Sequence, residues 1–246
     1  MINIKNITKN FGNFKAVDNL NLDIHNWECF SLLWRNWAGK STTIKMLVWL
    51  MEPTKWDIFF DNHKLSTNPI AIKSKLSYIP DMPYVYEKLT WIDFLYFVGT
   101  AYWMSKEKIK EKAEQFFYMF DFYEMIDKKI EDYSHWMKQK LVFTSALMHN
   151  PKYLILDEPM VALDYQWWYM IKKIITTITK NLGSTVIFTT HQIYVAGEIS
   201  DRVWIIHNWK LVSLIDNKET IRNNLENEFL SSTWEVDEEF EKIITN

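Results

Sequence analysis

Residues 29–51 read C-F-S-L-L-W-R-N-W-A-G-K-S-T-T-I-K-M-L-V-W-L-M, and the reading of this stretch decides the fold. Its opening, Cys29 to Leu33, is a short apolar run of the kind buried on both faces of a parallel sheet. Ser41 to Met51 carries Ile44, Leu47 and Val48 at helical spacing, which predicts a helix. Between them lies a loop ending in Gly39-Lys40-Ser41. Strand, loop and helix in this order, with a lysine and a hydroxyl residue opening the helix, are what a phosphate cradle requires. Backbone N–H groups point inward at the phosphates, Lys40 reaches the β and γ positions, and Ser41 offers an oxygen to Mg²⁺. The plain alternative is an ordinary helix start with Ser41 as its cap.

Working outward, Tyr153 to Leu156 is a second apolar run and stops at Asp157-Glu158, while Ser184 to Thr190 is a β-branched run that stops at His191. Both read as central parallel strands, whose carboxyl ends are where ligands bind. Adjacent residues on a strand face opposite ways, so Asp157 and Glu158 are expected to divide the work. One holds Mg²⁺ directly or through water, and the other orients and deprotonates an attacking water. The bland alternative is a strand-end turn with solvated acids. His191 could donate to the γ-phosphate, although a lone histidine is more often structural. Alternation of Ile2, Ile4 and Ile7, then of Val17, Leu20, Leu22 and Ile24, predicts two antiparallel strands turning near Phe11-Gly12-Asn13. Residues 90–149 read as a helical subdomain with Phe94, Leu95 and Val98 on one face and Phe116, Phe117 and Phe120 on another. Two strands are expected over 201–215 and exposed helices in the last 30 residues.

The phosphate loop, Asp157-Glu158, His191 and the segment Tyr133 to Lys140 are four separated motifs that together resemble the ATP-binding subunit of an ABC transporter over about residues 1–215. The resemblance implies an α/β fold of the P-loop NTPase type. Its core sheet would be mixed or parallel, flanked by an N-terminal antiparallel β subdomain and a helical subdomain at about 90–149, with 216–246 as a C-terminal helical tail. It implies ATP and Mg²⁺ as cofactors. Nucleotide contacts would come from Phe11 stacking on adenine, from Trp34, Arg35, Asn36, Trp37, Ala38, Gly39, Lys40, Ser41 and Thr42, and from Asp164 in the segment Ala162-Leu163-Asp164. Tyr133 to Lys140 resembles the family's signature segment, so Ser134 and Trp136 would meet the γ-phosphate of ATP held by a second subunit. Ser41, Asp81 and Asp157 would serve the metal, Glu158 would be the catalytic base and His191 the switch histidine. The implied partners are a second ATP-binding subunit, identical or not, and a membrane permease, with export the expected direction and no nucleic acid involved. Rival readings are a catalytically inactive structural or regulatory subunit of the same fold and a non-transport ATPase of the family. A chain of 246 residues has little room for the second ATPase copy or long coiled coil of the latter.

Composition fits this frame. The chain is 48% hydrophobic and 24% charged with net charge −3, which demands neither nucleic acid nor an anionic membrane. Its one cysteine, Cys29, suits a reducing compartment. No apolar run approaches the roughly 18 residues of a membrane span, so a cytoplasmic protein, peripheral on the membrane through its permease, is expected. One count is abnormal: Gly is 5 and Trp is 13, where ordinary usage would give about 17 glycines. Trp34, Trp37 and Trp136 stand at glycines of the resembled family, as do Trp27, Trp49, Trp56, Trp91, Trp103, Trp167 and Trp209, whereas Trp168, Trp204 and Trp234 have no such assignment. Taken literally, an indole in the cradle would block ATP. A drift confined to Gly and Trp and scattered over the chain fits a gene in which UGA encodes glycine but is read as tryptophan. Asp81, where the family usually has Gln, and Tyr165 and Ala162, at frequent Pro and Gly positions, are milder departures.

Overall fold

The computed structural model describes residues 1–34, 39–123, 128–159, 165–207, 210–216, 225–227 and 229. Expectations for Trp37, Trp209, Trp234 and nearly all of the C-terminal tail lie outside these residues.

The predicted hairpin forms from β1 (Ile2–Phe11) and β2 (Phe14–Ile24). With β4 (Ile58–Phe60) and β5 (His63–Lys64) it makes an antiparallel sheet of order β2-β1-β4-β5. The second sheet contains β3 (Cys29–Trp34), β6 (Leu76–Ile79), β7 (Tyr153–Asp157), β8 (Thr185–Thr190), β9 (Arg202–His207) and β10 (Lys210–Ile215). Its order is β10-β9-β3-β8-β7-β6, parallel from β9 to β6, with β10 antiparallel to β9. Every residue of β3, β7 and β8 is buried, which is why these segments read as unbroken apolar or β-branched runs. Parallel pairing requires crossovers, and these carry α1 (Lys40–Leu47), α5 (His135–Leu147), α6 (Tyr165–Asn181) and α7 (Ile193–Ile199). A short α2 (Pro69–Lys73) leads into β6, and α3 (Trp91–Ala101) and α4 (Lys106–Phe120) pack beside α5.

Local chemistry starts and stops these helices. Thr90, Ser105 and Ser134 cap α3, α4 and α5, each accepting the backbone N–H three residues on. On α4 the buried residues are Ile109, Ala113, Phe117 and Phe120, one stripe at helical spacing, with Lys and Glu opposite. Gly99 allows α3 and α4 to approach closely, since a Cβ there would stand 2.6 Å from Ile109 Cγ1. The helix expected over 41–51 is shorter than its apolar spacing suggests. It ends at Leu47 because Trp49 takes a left-handed conformation at φ 55°. Trp27, Trp56 and Trp103 lie in the same backbone region, at φ 66°, 63° and 56°.

Two apolar clusters share the main sheet. Leu154 and Leu156 of β7 pack with the helical layer and α6, whereas Tyr153 and Ile155 of the same strand pack toward α1 and the antiparallel sheet. Between α5 and β6 sits His149, stacked on Tyr102 at 3.6 Å between ring centroids, with Nε2 3.2 Å from Ser77 Oγ. Ser77 Oγ donates to the Ala146 carbonyl, so it accepts from His149, whose buried Nδ1 has no partner among the described residues. A charged imidazole would have to place a proton there, and burial lowers the His149 pKa to about 4.

Because the folded value lies below the ordinary 6.5, the unfolded chain takes the proton first. Stability present above pH 6.5 is lost as pH falls toward 4, by at most about 3 kcal/mol. Denaturant melts between pH 7 and 4 should show this slope. His149→Phe, which keeps a ring against Tyr102, should have a shallower slope than the parent; equal slopes would refute the assignment.

Candidate active site

The site is assembled at the carboxyl ends of β3, β7 and β8. Gly39, at φ 87°, turns the chain into α1, and no side chain caps that helix. Ser41 is therefore the second helical residue rather than the cap, and the ordinary-cap reading fails. Gly39 has no side chain with which to cap α1, in contrast to the side-chain-capped α3, α4 and α5.

Lys40 is 3% exposed and its ammonium lies 3.2 Å from Asp157 Oδ1 and 3.0 Å from Glu158 Oε1. Strand alternation predicted that the two carboxylates would face opposite ways, and the structure corrects this. Glu158 leaves β7 with φ 49°, the alternation stops at Asp157, and both acids meet one ammonium. A glutamate in this region is uncommon and is held there by its surroundings. Its backbone N–H donates to Thr189 Oγ1 at 3.0 Å, and the same hydroxyl donates to Asp157 Oδ1 at 2.6 Å. His191 Nδ1 stands 3.1 Å from Glu158 Oε1, with its ring half exposed at the rim.

In the sequence Thr189 is only one β-branched residue of a strand. Its role follows from register: β7 and β8 pair Asp157 with Thr189, which brings the hydroxyl to the strand end where both acids begin. No sequence signal short of that pairing could have singled it out.

The other expected site residues are placed as follows. Ser41 and Thr42 open α1 beside Lys40, each partly exposed. Phe11 ends β1 with its ring 47% exposed and Lys9 Nζ 5.4 Å from its centroid. Ser134 caps α5 through Met137, and Trp136 lies against Trp167 with ring centroids 4.9 Å apart. Asp81 is exposed in the loop after β6, where it accepts from the Met82 N–H. Burial pushes the Tyr78 hydroxyl pKa well up, and the charges of Asp157 and Asp81 add to the effect. Trp34 is the last residue of β3. Its side chain is buried in the apolar cluster that holds Ile44, Trp204 and Ile206. Arg35, Asn36, Trp37, Ala38 and Asp164 lie outside the described residues.

A buried lysine facing two acids at the mouth of a parallel sheet, beside an uncapped helix start, is suited to gripping a polyphosphate and activating water next to it. Comparison with known proteins leads the same way. Residues 17–161 match the family described as ABC transporter. The chain is 34% identical over 211 residues to the uncharacterized ABC transporter ATP-binding protein YxlF of Bacillus subtilis, covering 86% of this chain and 69% of that protein. It is 30% identical to the SkfA peptide export ATP-binding protein SkfE of Bacillus subtilis, covering 86% and 87%. Its fold matches a dimeric ATP-binding cassette solved bound to ADP and phosphate with TM-score 0.79 at 24% identity, covering 88% of this chain and 98% of that one. The phosphate-facing geometry, the family match and these relatives agree that the chain belongs to the ABC transporter family, as one of its ATP-binding subunits.

Proposed function

We propose that the protein binds ATP at the Lys40 site, hydrolyses it with water activated by Glu158, and thereby powers a separate membrane permease that exports its cargo. The observation that carries this reading is the convergence of Lys40, Asp157, Glu158 and His191 on one spot beside the open end of α1. Export is supported by the name of the peptide-export relative. Among the described residues no helix is long and apolar enough to cross a membrane, and on this reading the permease is a separate chain.

The donor set fits Mg²⁺. Two buried carboxylates face one buried ammonium, which leaves negative charge uncompensated, and the available oxygens are hard ligands. No cluster of three or more metal-binding side chains occurs among the described residues, which suits an ion that arrives with phosphates rather than one caged by protein. Ser41, Asp157 and Asp81 would serve it, directly or through water. When bound it would neutralise charge developing on the β and γ phosphates.

The chain's own residues do the rest. Without nucleotide, Lys40 is shared between Asp157 and Glu158; an arriving polyphosphate competes for the ammonium and frees Glu158 Oε1. Glu158 then orients a water and takes its proton as that oxygen bonds to the γ-phosphorus and the bond to ADP breaks. Thr189 keeps both acids aimed during this exchange. His191, already at Glu158, is placed to donate to the transferring phosphoryl group. A second subunit would close the site with Ser134 and the start of α5, whose N-terminal dipole favours the γ-phosphate. The tail and the boundaries at about 90–149 and 215 are assigned on the same reading. Coupled to its permease, the subunit would sit on the cytoplasmic face of the membrane.

Steady-state phosphate release and nucleotide binding test this scheme. Glu158→Gln should lower turnover by roughly 10²–10⁴-fold while ATP still binds, and turnover near that of the parent would sink the assignment. Thr189→Val should lower kcat about tenfold with nucleotide affinity unchanged; a change confined to affinity would show that the threonine serves binding instead. Lys40→Ala should abolish ATP binding and leave two buried acids unpaired, with a loss of about 3–5 kcal/mol of stability.

A further inference from the structure

Eleven residues other than glycine lie at positive φ among those described. Six are Asn or Asp, whose short polar side chains tolerate this conformation. One is Glu158, held there by the active site. The remaining four are Trp27, Trp49, Trp56 and Trp103. The chain also contains 15 Phe and 12 Tyr, and none of those described has positive φ. Aromatic character therefore does not explain the four tryptophans.

Their settings are those of glycine. At the end of α1, Trp49 N–H donates to the Met46 carbonyl and Leu50 N–H to the Lys45 carbonyl. At the end of α3, Trp103 N–H donates to Thr100 and Met104 N–H to Gly99. Both patterns are complete Schellman motifs, with the tryptophan at the one position where a left-handed residue is needed and glycine is the usual occupant. Trp27 turns the chain between β2 and β3, and Trp56 does so ahead of β4. Three of the four indoles, Trp27, Trp56 and Trp103, are 67–72% exposed, so they gain little burial in return. Two further tryptophans show the opposite defect. Trp34 and Trp204 are buried with an indole N–H that has no partner among the described residues, whereas a buried tryptophan ordinarily finds one.

We propose that the natural protein carries glycine, not tryptophan, at positions 27, 49, 56 and 103, and by the same codon at 34, 37, 136 and 204, the printed residues arising from UGA codons read as tryptophan. Left-handed backbone identifies the first four without reference to any relative. Orphaned indole donors add Trp34 and also Trp204, which no family position had suggested. Glycine at 34, 37 and 136 would leave these positions without a Cβ, as close approach of backbone to a phosphate requires. The proposal stands on backbone geometry and composition, so its fate is separable from that of the ATPase reading.

Peptide mapping by mass of the protein isolated from the organism that carries the gene decides it. Glycine is expected in the peptides spanning 27, 49, 56 and 103, and tryptophan in any of them overturns the proposal. A recombinant pair provides a second readout. Replacing these four tryptophans together by glycine should raise the unfolding temperature by several degrees. Replacing them by phenylalanine, which keeps the strained backbone, should not. Equal or lower stability of the glycine version would refute the conformational argument whatever its ATPase activity.

Discussion

Much of this fold is arranged around one buried charge. The Lys40 ammonium, removed from water, must be matched by acids brought from another part of the chain, and it finds Asp157 and Glu158 at 3.2 and 3.0 Å. Breaking such a cluster by removing one partner leaves an uncompensated buried charge, a far larger penalty than losing a surface pair. The register of β7 against β8, the left-handed turn at Glu158 and the Thr189 hydroxyl between the two acids all serve the same placement. On the function proposed above, an arriving phosphate would compete with the two acids for this one ammonium, an exchange of partners within a buried cluster.

Apolar packing supplies the rigidity that this exchange requires. Strands β3, β7 and β8 are buried throughout, and α5 is buried along most of its length from Gln139 to Leu147. The polar residues at the site therefore occur where buried strands end and nowhere along their length. That confinement explains why the ligand-facing groups cluster at one edge of the main sheet.

The architecture was legible because its signals are strong and local. Alternation located β1 and β2, unbroken apolar or β-branched runs located β3, β7 and β8, and the stripe Phe116, Phe117 and Phe120 located α4. What escaped reading depended on backbone conformation or on pairing between distant segments. Apolar spacing predicts a helix from Ser41 to Met51, whereas α1 ends at Leu47, since side-chain spacing carries no sign of φ at Trp49. Asp157 and Glu158 were placed on opposite faces, since alternation says nothing of a residue that leaves its strand left-handed. Thr189 was invisible until parallel register set it opposite Asp157.

Strand β7 is also a party wall. Its even-numbered leucines, Leu154 and Leu156, belong to the cluster shared with the helical layer, and its odd-numbered Tyr153 and Ile155 belong to the cluster shared with the antiparallel sheet. Asp157 is the end of that wall. Any displacement of the carboxylate along the strand axis must be absorbed by two close-packed compartments at once, neither of which compresses readily. The strand thus behaves as a push-rod, and a shift of a few tenths of an ångström at its Asp157 end is felt on both faces of the sheet.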